Sequence, residues 1–600
     1  TKLLCCQSNS SAVNYAVSSG TITANGDAAA VTFSSSNTDI NTVRGQETDY
    51  CTWNPLDKED TTLSDGNLTA LIAQGADHVV RGTSSVETGK WFWEVQCITG
   101  TTGMIGISNV EKKITEGNYS SADGGLYIYV ASGSKYGKIG GSFNDVTYSS
   151  AISLGDIIGV ALDMDNGDLY FYKNGSNLGK VNSTSLSGFT VAPALNEGGG
   201  GSFKTSTNFG QKPFKFPPPD GYQPLNNANT RPETIVSRPD QYVGVTTYPG
   251  DSSQTQSIKL NMQPDLVWLK SRFVDSAKHI LTDSVRGDHK ELYSNTDENE
   301  SDPGYGVEIK SNGFTVPGVA DNRLNGTNRD YVAWAWKAGG NKNTFNVDDV
   351  GYATAAAAGL DGGTITPTGA SVGTKQGFSI ISYTGTGGTN DETISHGLSQ
   401  SPDMVIIKNR HLNTHIDWAV AHTGTDDNRE LHLNTNEIPA NVGFLGLYKS
   451  NFTSTTFAVN ASANVSDFVN ASNQSYIAYV WHNVPGLQKF GRYEGNGDTN
   501  GPYVELGFKP AILWLKNIDS NENWYVYDSV RSSYNPAYQS LMLSNDIIEE
   551  NGTNQTRVDL LSNGFKLRQS NNPNNANTYI YAAWAEVPSV NLYGGGANAR

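Results

Sequence analysis

Cysteine, histidine and charge are all scarce in this chain, and each scarcity excludes something. Four cysteines cannot staple 600 residues. Cys5 and Cys6 are adjacent, Cys51 and Cys97 stand alone, and no C-x-x-C offers zinc a tight ligand set. They are expected to be small buried apolar groups. The nine histidines show no pair at metal spacing, so no metal and no cofactor is expected. Charged residues make up 17% of the chain, below the roughly 25% usual for soluble proteins. Acids outnumber bases to a net charge of −18, which argues against a nucleic-acid binder, because neutralising phosphates takes a basic stripe. No apolar run approaches the ~20 residues of a membrane helix, and no membrane insertion is expected. The opening TKLLCCQSNS lacks the charged flank and apolar stretch of a signal peptide. It also lacks an initiator Met, so a processed chain or a fragment is expected.

What is abundant points to β-structure. Glycine reaches 64 residues, and 37% hydrophobic content with 29 Tyr and 11 Trp is too core-rich for a disordered chain. Helical periodicity is nearly absent. Short β-branched and aromatic runs recur instead, separated by NG, DG, GG and SNG turns, which is an all-β pattern. In GKWFWEVQCI (89–98), Trp91, Trp93 and Val95 share one face, and Phe92, Glu94 and Gln96 the other. DIIGVALDMDNGDLYFYKNGSNLG (156–179) reads as a meander turning at Asn166-Gly167 and Asn174-Gly175, where type I′ turns would place both residues at positive φ.

Beyond a Pro- and Asn-rich break after Phe209, one unit recurs. A Pro, an apolar strand and a Lys open it: QPDLVWLKSR (263–272), SPDMVIIKNR (401–410) and KPAILWLKNI (509–518). An aromatic-containing strand follows: HILTDSVRG (279–287), DWAVAHTG (417–424) and NWYVYDSVRS (523–532). Next come KSNGFTV (310–316), KSNFTSTTF (449–457) and LSNGFKL (561–567), and last YVAWAW (331–336), YIAYVW (476–481) and YIYAAW (579–584). Four landmarks in one order, three times over, make an internal repeat. Each unit of about 100 residues has the length of a β-sandwich. A stretch poor in large side chains, 339–376, interrupts the series; Phe345, Val347, Val350 and Tyr352 alternate within it, as in a small hairpin arm.

Few constellations invite chemistry. DMDNGD (163–168) places Asp163 and Asp165 where a calcium loop wants ligands, but Gly167 falls at the wrong position and no Glu closes the loop, so a hairpin turn is expected. GASVG (369–373) matches a nucleophile elbow without the flanking strand and helix that one requires. Asp283-Ser284-Val285-Arg286 recurs as Asp528-Ser529-Val530-Arg531, while the second copy has Ala421-His422-Thr423-Gly424 in its place, so an Asp–Arg pair closing a turn is expected. A glycosidase needs two carboxylates facing each other across the bond, and WFWEVQC offers Glu94 alone. No catalytic residue is expected, and the chain is not expected to be an enzyme. A binding function needs only aromatic faces among neutral polar groups. GNYSSADGGLYIYVASGSKYGKIGG (117–141) supplies them; Tyr127 and Tyr129 alternate on one strand, whereas Tyr119 and Tyr136 read as turn residues and are the candidate glycan- or receptor-binding side chains.

Two resemblances appear at this point. GKWFWEV, IGIS (105–108), the LDMDNGDLYFYKNG hairpin and NFG (208–210) occur in the order seen in SPRY domains, so residues 52–216 resemble that concanavalin-like jelly-roll sandwich. The repeats, HGLSQSPDMVIIKNR (396–410) above all, resemble units of structural proteins from marine tailed phages of the cyanophage and pelagiphage type. The expected fold class is all-β, as tandem β-sandwiches in series. The expected order is the end of a preceding domain and a linker (1–51), a SPRY-like sandwich (52–216) and a Pro-rich linker (217–240). Sandwich repeats follow at 241–338, 377–487 and 488–588, with the arm at 339–376 and a tail or further domain at 589–600. The resemblances imply a non-enzymatic virion protein at the particle surface. It would be a tail fibre or appendage that binds a host surface glycan or receptor, contacts other virion proteins and forms a homotrimer. The alternatives are a capsid decoration or other purely structural part, and, less in keeping with the residues, a glycan depolymerase.

Overall fold

The computed structural model describes residues 50–589 apart from Gly75, 115–123, Phe143, Gly199, 231–234, Thr389, 411–414, Asn428, 442–445, Tyr448, 461–465 and 551–557; before residue 50 it describes only a two-stranded pair, Leu4–Cys5 with Tyr15–Val17. Among the described residues the α-helices are two four-residue turns, Asn227–Thr230 and Ser466–Val469, and nearly everything else regular is strand. Two compact units divide the chain near residue 231.

The first unit is a sandwich. One sheet orders Asn144–Thr147, Ser134–Lys138, Gly125–Tyr129, Gly103–Asn109, Val191–Gly198, Ala76–Gly82 and Trp53–Lys58. The other orders Ser176–Lys180, Asp168–Lys173, Ile157–Asp163, Lys90–Thr99, Phe203–Asn208, Thr69–Ile72 and Thr61–Ser64. Their inner faces meet through Trp53, Trp91, Trp93, Val95, Ile105, Ile107, Leu126, Ile128 and Phe171. Cys51 and Cys97 lie in this core, and burial pushes both thiols up to about 12, so they act as apolar filler. At the second NG turn Asn174 (φ 49°) and Gly175 (φ 83°) both take positive φ. At the first, only Gly167 does: Asp163 pairs with Asp168, leaving a four-residue loop in which Met164 turns back into the core.

The end of the SPRY-like stretch (to 216) runs back over the sandwich, and the first part of the expected linker (217–240) follows it. Glu94 accepts the Lys215 and Phe216 N–H groups at 2.8 Å each, Phe214 meets Phe92 edge-on at 5.0 Å, and Gln223–Pro224 pairs parallel with Trp91 and Phe92. Leu225 is fully buried.

In the second unit one strand order occurs three times. Val243–Pro249, Asp330–Trp336, Leu266–Ser271 and Ile280–Asp283 form the first sheet in that spatial order. Phe378–Thr384, Ser475–Trp481, Met404–Asn409 and Ala419–His422 are equivalent in the second copy, and Gln488–Glu494, Thr578–Pro588, Phe508–Asn517 and Tyr525–Asp528 in the third. A smaller sheet built on Gly313–Val316, Thr456–Val459 or Gly564–Leu567 covers one face of each. The stretch 339–376 supplies a hairpin, Phe345–Val347 with Val350–Tyr352, and the strand Gly369–Gly373, which widen the second copy's sheet.

The copies are not strung in series, because the second face of each sheet needs cover. In Asp330–Trp336, Tyr331 and Ala333 face the copy's own small sheet, while Val332, Trp334 and Trp336 face a core common to all three copies. Trp336, Trp481 and Trp584, equivalent in the three fourth landmarks, meet there as a triangle with ring centroids 6.5, 5.3 and 6.1 Å apart. Polar contacts repeat the same circuit. Lys270 of the first copy donates to the Asp546 carbonyl of the third at 3.1 Å. Lys408 of the second donates to the Asp297 carbonyl of the first at 3.0 Å, and Lys516 of the third to the Asn436 carbonyl of the second at 3.2 Å. Each bond runs the same way round, so the copies close a ring. The second apolar faces of these strands are therefore covered within one chain.

Candidate functional site

Strand alternation in the first unit sends one set of side chains into the core and the other onto the outer face of the sheet that contains Gly125–Tyr129. Leu126, Ile128, Ile105, Val80 and Leu195 point inward. Tyr127, Met104, Val79 and Ala194 point outward as a second apolar cluster, with Tyr129 and Tyr136 packed against it. Tyr136 stands on the strand Ser134–Lys138, paired with Tyr127, not in a turn as expected; its ring lies 6.4 Å from that of Tyr129. Gly106 sits opposite Tyr127, and a Cβ there would strike the Leu126 carbonyl at 2.0 Å. Tyr119 lies outside the described residues.

Polar groups border this aromatic face. Arg81 donates from Nε to Ser108 Oγ at 3.0 Å and from Nη2 to the Asn109 carbonyl at 2.9 Å, with Asp57 3.6 Å from Nη1. Asn196 pairs across to Met104 and Val79, fully buried, and neither its amide oxygen nor its nitrogen meets a partner. A buried amide left this way loses about 1–3 kcal/mol relative to a paired one. Tyr127, Arg81 and Asn196 are buried, so Tyr129 and Tyr136, both half-buried, are the aromatic side chains this face presents to a neutral polar ligand.

Groups that suggested chemistry in the sequence have structural employment. Asp163 accepts from Asn166 N–H at 3.0 Å and Lys90 Nζ at 2.9 Å; Asp165 accepts from Gly89 N–H at 2.6 Å. Ser371 lies in a fully buried strand, donating to the Gly340 carbonyl and accepting from Gly339 N–H. Asp283 and Asp528 each clasp the Arg three residues on at 2.5 Å, and also accept from the next copy, from Tyr479 OH at 2.7 Å and Trp334 Nε1 at 3.0 Å. In the third copy the matching position is Ala582, with no donor to offer. The second copy accordingly has His422, whose Nδ1 accepts from Gly424 N–H, leaving Nε2–H to donate to the Tyr581 carbonyl at 3.0 Å. Among the described residues no group of three His, Cys, Asp or Glu is placed to hold a metal.

A jelly-roll sandwich with a tyrosine-bearing outer face defines the first unit as a SPRY domain, and the SPRY family matches residues 90–206. The chain as a whole belongs to the family described as a domain of unknown function, DUF7483, which matches residues 238–588, the span of the closed ring. Among curated proteins the chain is 30% identical over 160 residues to the E3 ubiquitin-protein ligase RKP of Arabidopsis thaliana, covering 25% of this chain and 12% of the ligase. It is 28% identical over 190 residues to the ATP-dependent RNA helicase DDX1 of Xenopus laevis, covering 30% and 22%. The chain thus spans less than a quarter of the length of both relatives. Among solved structures it is similar to the SPRY domain of human HERC1 (16% identity, 27% of this chain, 99% of that one, TM-score 0.24). The TRIM65 PSpry domain is similar at 17% identity, 26% and 92% coverage, and TM-score 0.22.

Proposed function

We propose that this protein is a non-enzymatic binding protein whose SPRY unit takes the ligand on the Tyr129–Tyr136 sheet face and whose ring of three copies is the scaffold. The observation that carries this reading is the pair of half-buried tyrosines, Tyr129 and Tyr136, set 6.4 Å apart at a 45° tilt on one sheet face. Spent carboxylates at Glu94, Asp163 and Asp165 support binding over glycan cleavage. The resemblance of the repeats supplies the setting: a phage tail fibre or related appendage on the virion surface, with a host glycan or receptor as ligand. Many copies on a particle would multiply weak single-site contacts into avidity. The test is adsorption to host cells, or retention on host surface polysaccharide, by Tyr136→Ala. Loss of one aromatic contact should weaken binding about tenfold. Unchanged retention by the variant would remove the SPRY face from the reading.

A further inference from the structure

One loop of the ring unit differs among the three copies. It leaves the second landmark and ends at a buried leucine that pairs back onto it: Leu292 with Leu281, Leu431 with Val420, Leu541 with Val526. Between Asp283, His422 or Asp528 and that leucine lie residues 284–291, 423–430 and 529–540, so the third loop is four residues longer. The first two loops are charged, and charges in both have partners in the same copy. Lys290 meets Asp302 at 2.6 Å, His289 lies 3.2 Å from Glu308, and Asp427 lies 3.6 Å from Lys449. In the third loop the charge is Arg531, buried against Asp528 and Glu549. From Ser532 to Ser540 the chain reads SSYNPAYQS and is neutral throughout.

The added length is held in place. Asn535 accepts from Leu560 N–H at 2.8 Å and donates to the Leu560 carbonyl at 2.9 Å. Ala537 exchanges backbone bonds with Val558 at 2.7 and 3.0 Å, and Ser540 with Glu550 at 3.1 and 2.9 Å. From this frame Tyr534 projects at 85% exposure, with Tyr538 and Val530 also exposed. Neither tyrosine makes a side-chain hydrogen bond or ring contact with another described residue. A single exposed apolar side chain is ordinary. Here two rings and a valine stand out from one clamped, uncharged loop, where the two sister loops carry charges instead.

We propose that this loop binds a neutral polysaccharide, with a pyranose ring stacked on Tyr534. The flat face of the phenol ring covers the C–H face of a sugar. Ser533, Tyr538 and Gln539 offer hydroxyls and an amide, which donate and accept without charge as sugar hydroxyls require. Tyrosine among Ser and Asn is also the composition of antibody binding loops, where rigid rings give contact area at little entropic cost. The fixed frame removes the ordering cost that a mobile loop would carry. An acidic polymer finds no free cation between Ser532 and Ser540, and the net charge of −18 repels it. A protein partner would need about 800 Å² on each side of a stable interface, far more than three side chains present. The loop belongs to the ring unit and adds a site beyond the SPRY face.

The full-length chain should be titrated by saturation-transfer NMR with gluco-, manno-, galacto- and xylotetraose, and with tetragalacturonate as the acidic control. At least one neutral tetrasaccharide is expected to bind with a Kd of about 1 mM, and tetragalacturonate at least about tenfold more weakly. Tyr534→Ala should weaken the neutral sugar about tenfold, while Tyr534→Phe, which keeps the ring, should stay within about threefold. Both variants should melt as the parent does, because the side chain is exposed. Repeating the titrations in a Tyr136→Ala background reads this loop without the SPRY face, and the Tyr534→Ala effect should persist there. Failure of all four neutral sugars to bind in that background would overturn the proposal. So would equal binding of tetragalacturonate, or an unchanged Kd in Tyr534→Ala. Retention of a host envelope protein through Tyr534, with no sugar bound, would overturn it in favour of a protein partner.

Discussion

The two units bury tryptophan in different ways. In the SPRY unit two sheets close over one core, and the outer face of the Tyr129 sheet is left to carry a site. In the ring unit the four equivalent strands of each copy are buried on both faces, once under the copy's own small sheet and once against the other copies. Two-sided burial leaves loops and seams as the places where chemistry can vary. The comparison teaches that copies sharing a core are held to one geometry, whereas a sheet with one outer face can alter that face without altering the fold.

The sharpest way to break the comparison is Trp336→Ala. Removing one corner of the central triangle should cost about 3–5 kcal/mol and lower the melting of all three copies together, read as one shifted calorimetric transition. Trp93→Ala, in the other core, should shift the SPRY transition and leave that one in place. If Trp336→Ala instead loosens the first copy alone, the shared core is not cooperative.

A smaller effect separates the seams of the ring. Glu549 is gripped by Arg272 (2.7 Å) and Arg531 (3.1 Å), and Glu300 by Arg410 (2.8 Å) and Arg286 (3.3 Å). The seam between the second and third copies has Ile518 and Thr425 at the arginine positions. Arg272→Ala should cost about 2 kcal/mol through the charged hydrogen bonds lost on buried Glu549. Thr425→Ala should cost less, and chemical denaturation of the two variants would rank them.

A third effect comes from Lys270, Lys408 and Lys516. Burial lowers each from 10.5 to about 8. Between those values the unfolded chain holds protons that the folded ring has released, so stability rises with pH across that window. Above pH 10 the buried hydroxyls of Tyr248, Tyr383 and Tyr493, pushed up by burial, act in the opposite sense. Melting of the ring transition should therefore rise by roughly 5–8 °C from pH 7.5 to 9.5. A variant with Met at all three positions should show no such rise. The smallest effect belongs to Tyr136→Ala, which should leave the SPRY melting temperature within about 2 °C, because the ring is only half-buried.

The β-rich fold was legible because its signals are local. Asn174-Gly175 takes positive φ at both residues, and Trp91, Trp93 and Val95 alternate into a core as their spacing dictates. Closure of the ring was not legible: period-2 patterning shows that Trp334 and Trp336 share an apolar face, but not what covers it. Likewise His422 in place of Asp283 and Asp528 looks like drift until Ala582 is seen to lack a donor. The site was half legible. Of the proposed site, Tyr136 was a candidate from the sequence and Tyr129 was not, and the Gly-rich run around Tyr136 imitated a turn where Gly137 and Gly140, both at positive φ, sit in and just beyond a strand.

The circuit of lysine bonds also sets a timetable. Lys270 reaches its partner only when Asp546 exists. A ribosome emitting 5–20 residues per second makes the roughly 200 residues between Trp336 and Asp546 in about 10–40 s. Through that interval the first copy waits with Trp334 short of its Asp528 acceptor and Trp336 short of Trp584, long enough to meet a sister chain on the same message. Crowded synthesis would thus favour tangles between nascent neighbours over completion of each alone, and slow translation or a chaperone that masks tryptophan should raise the yield of the finished protein.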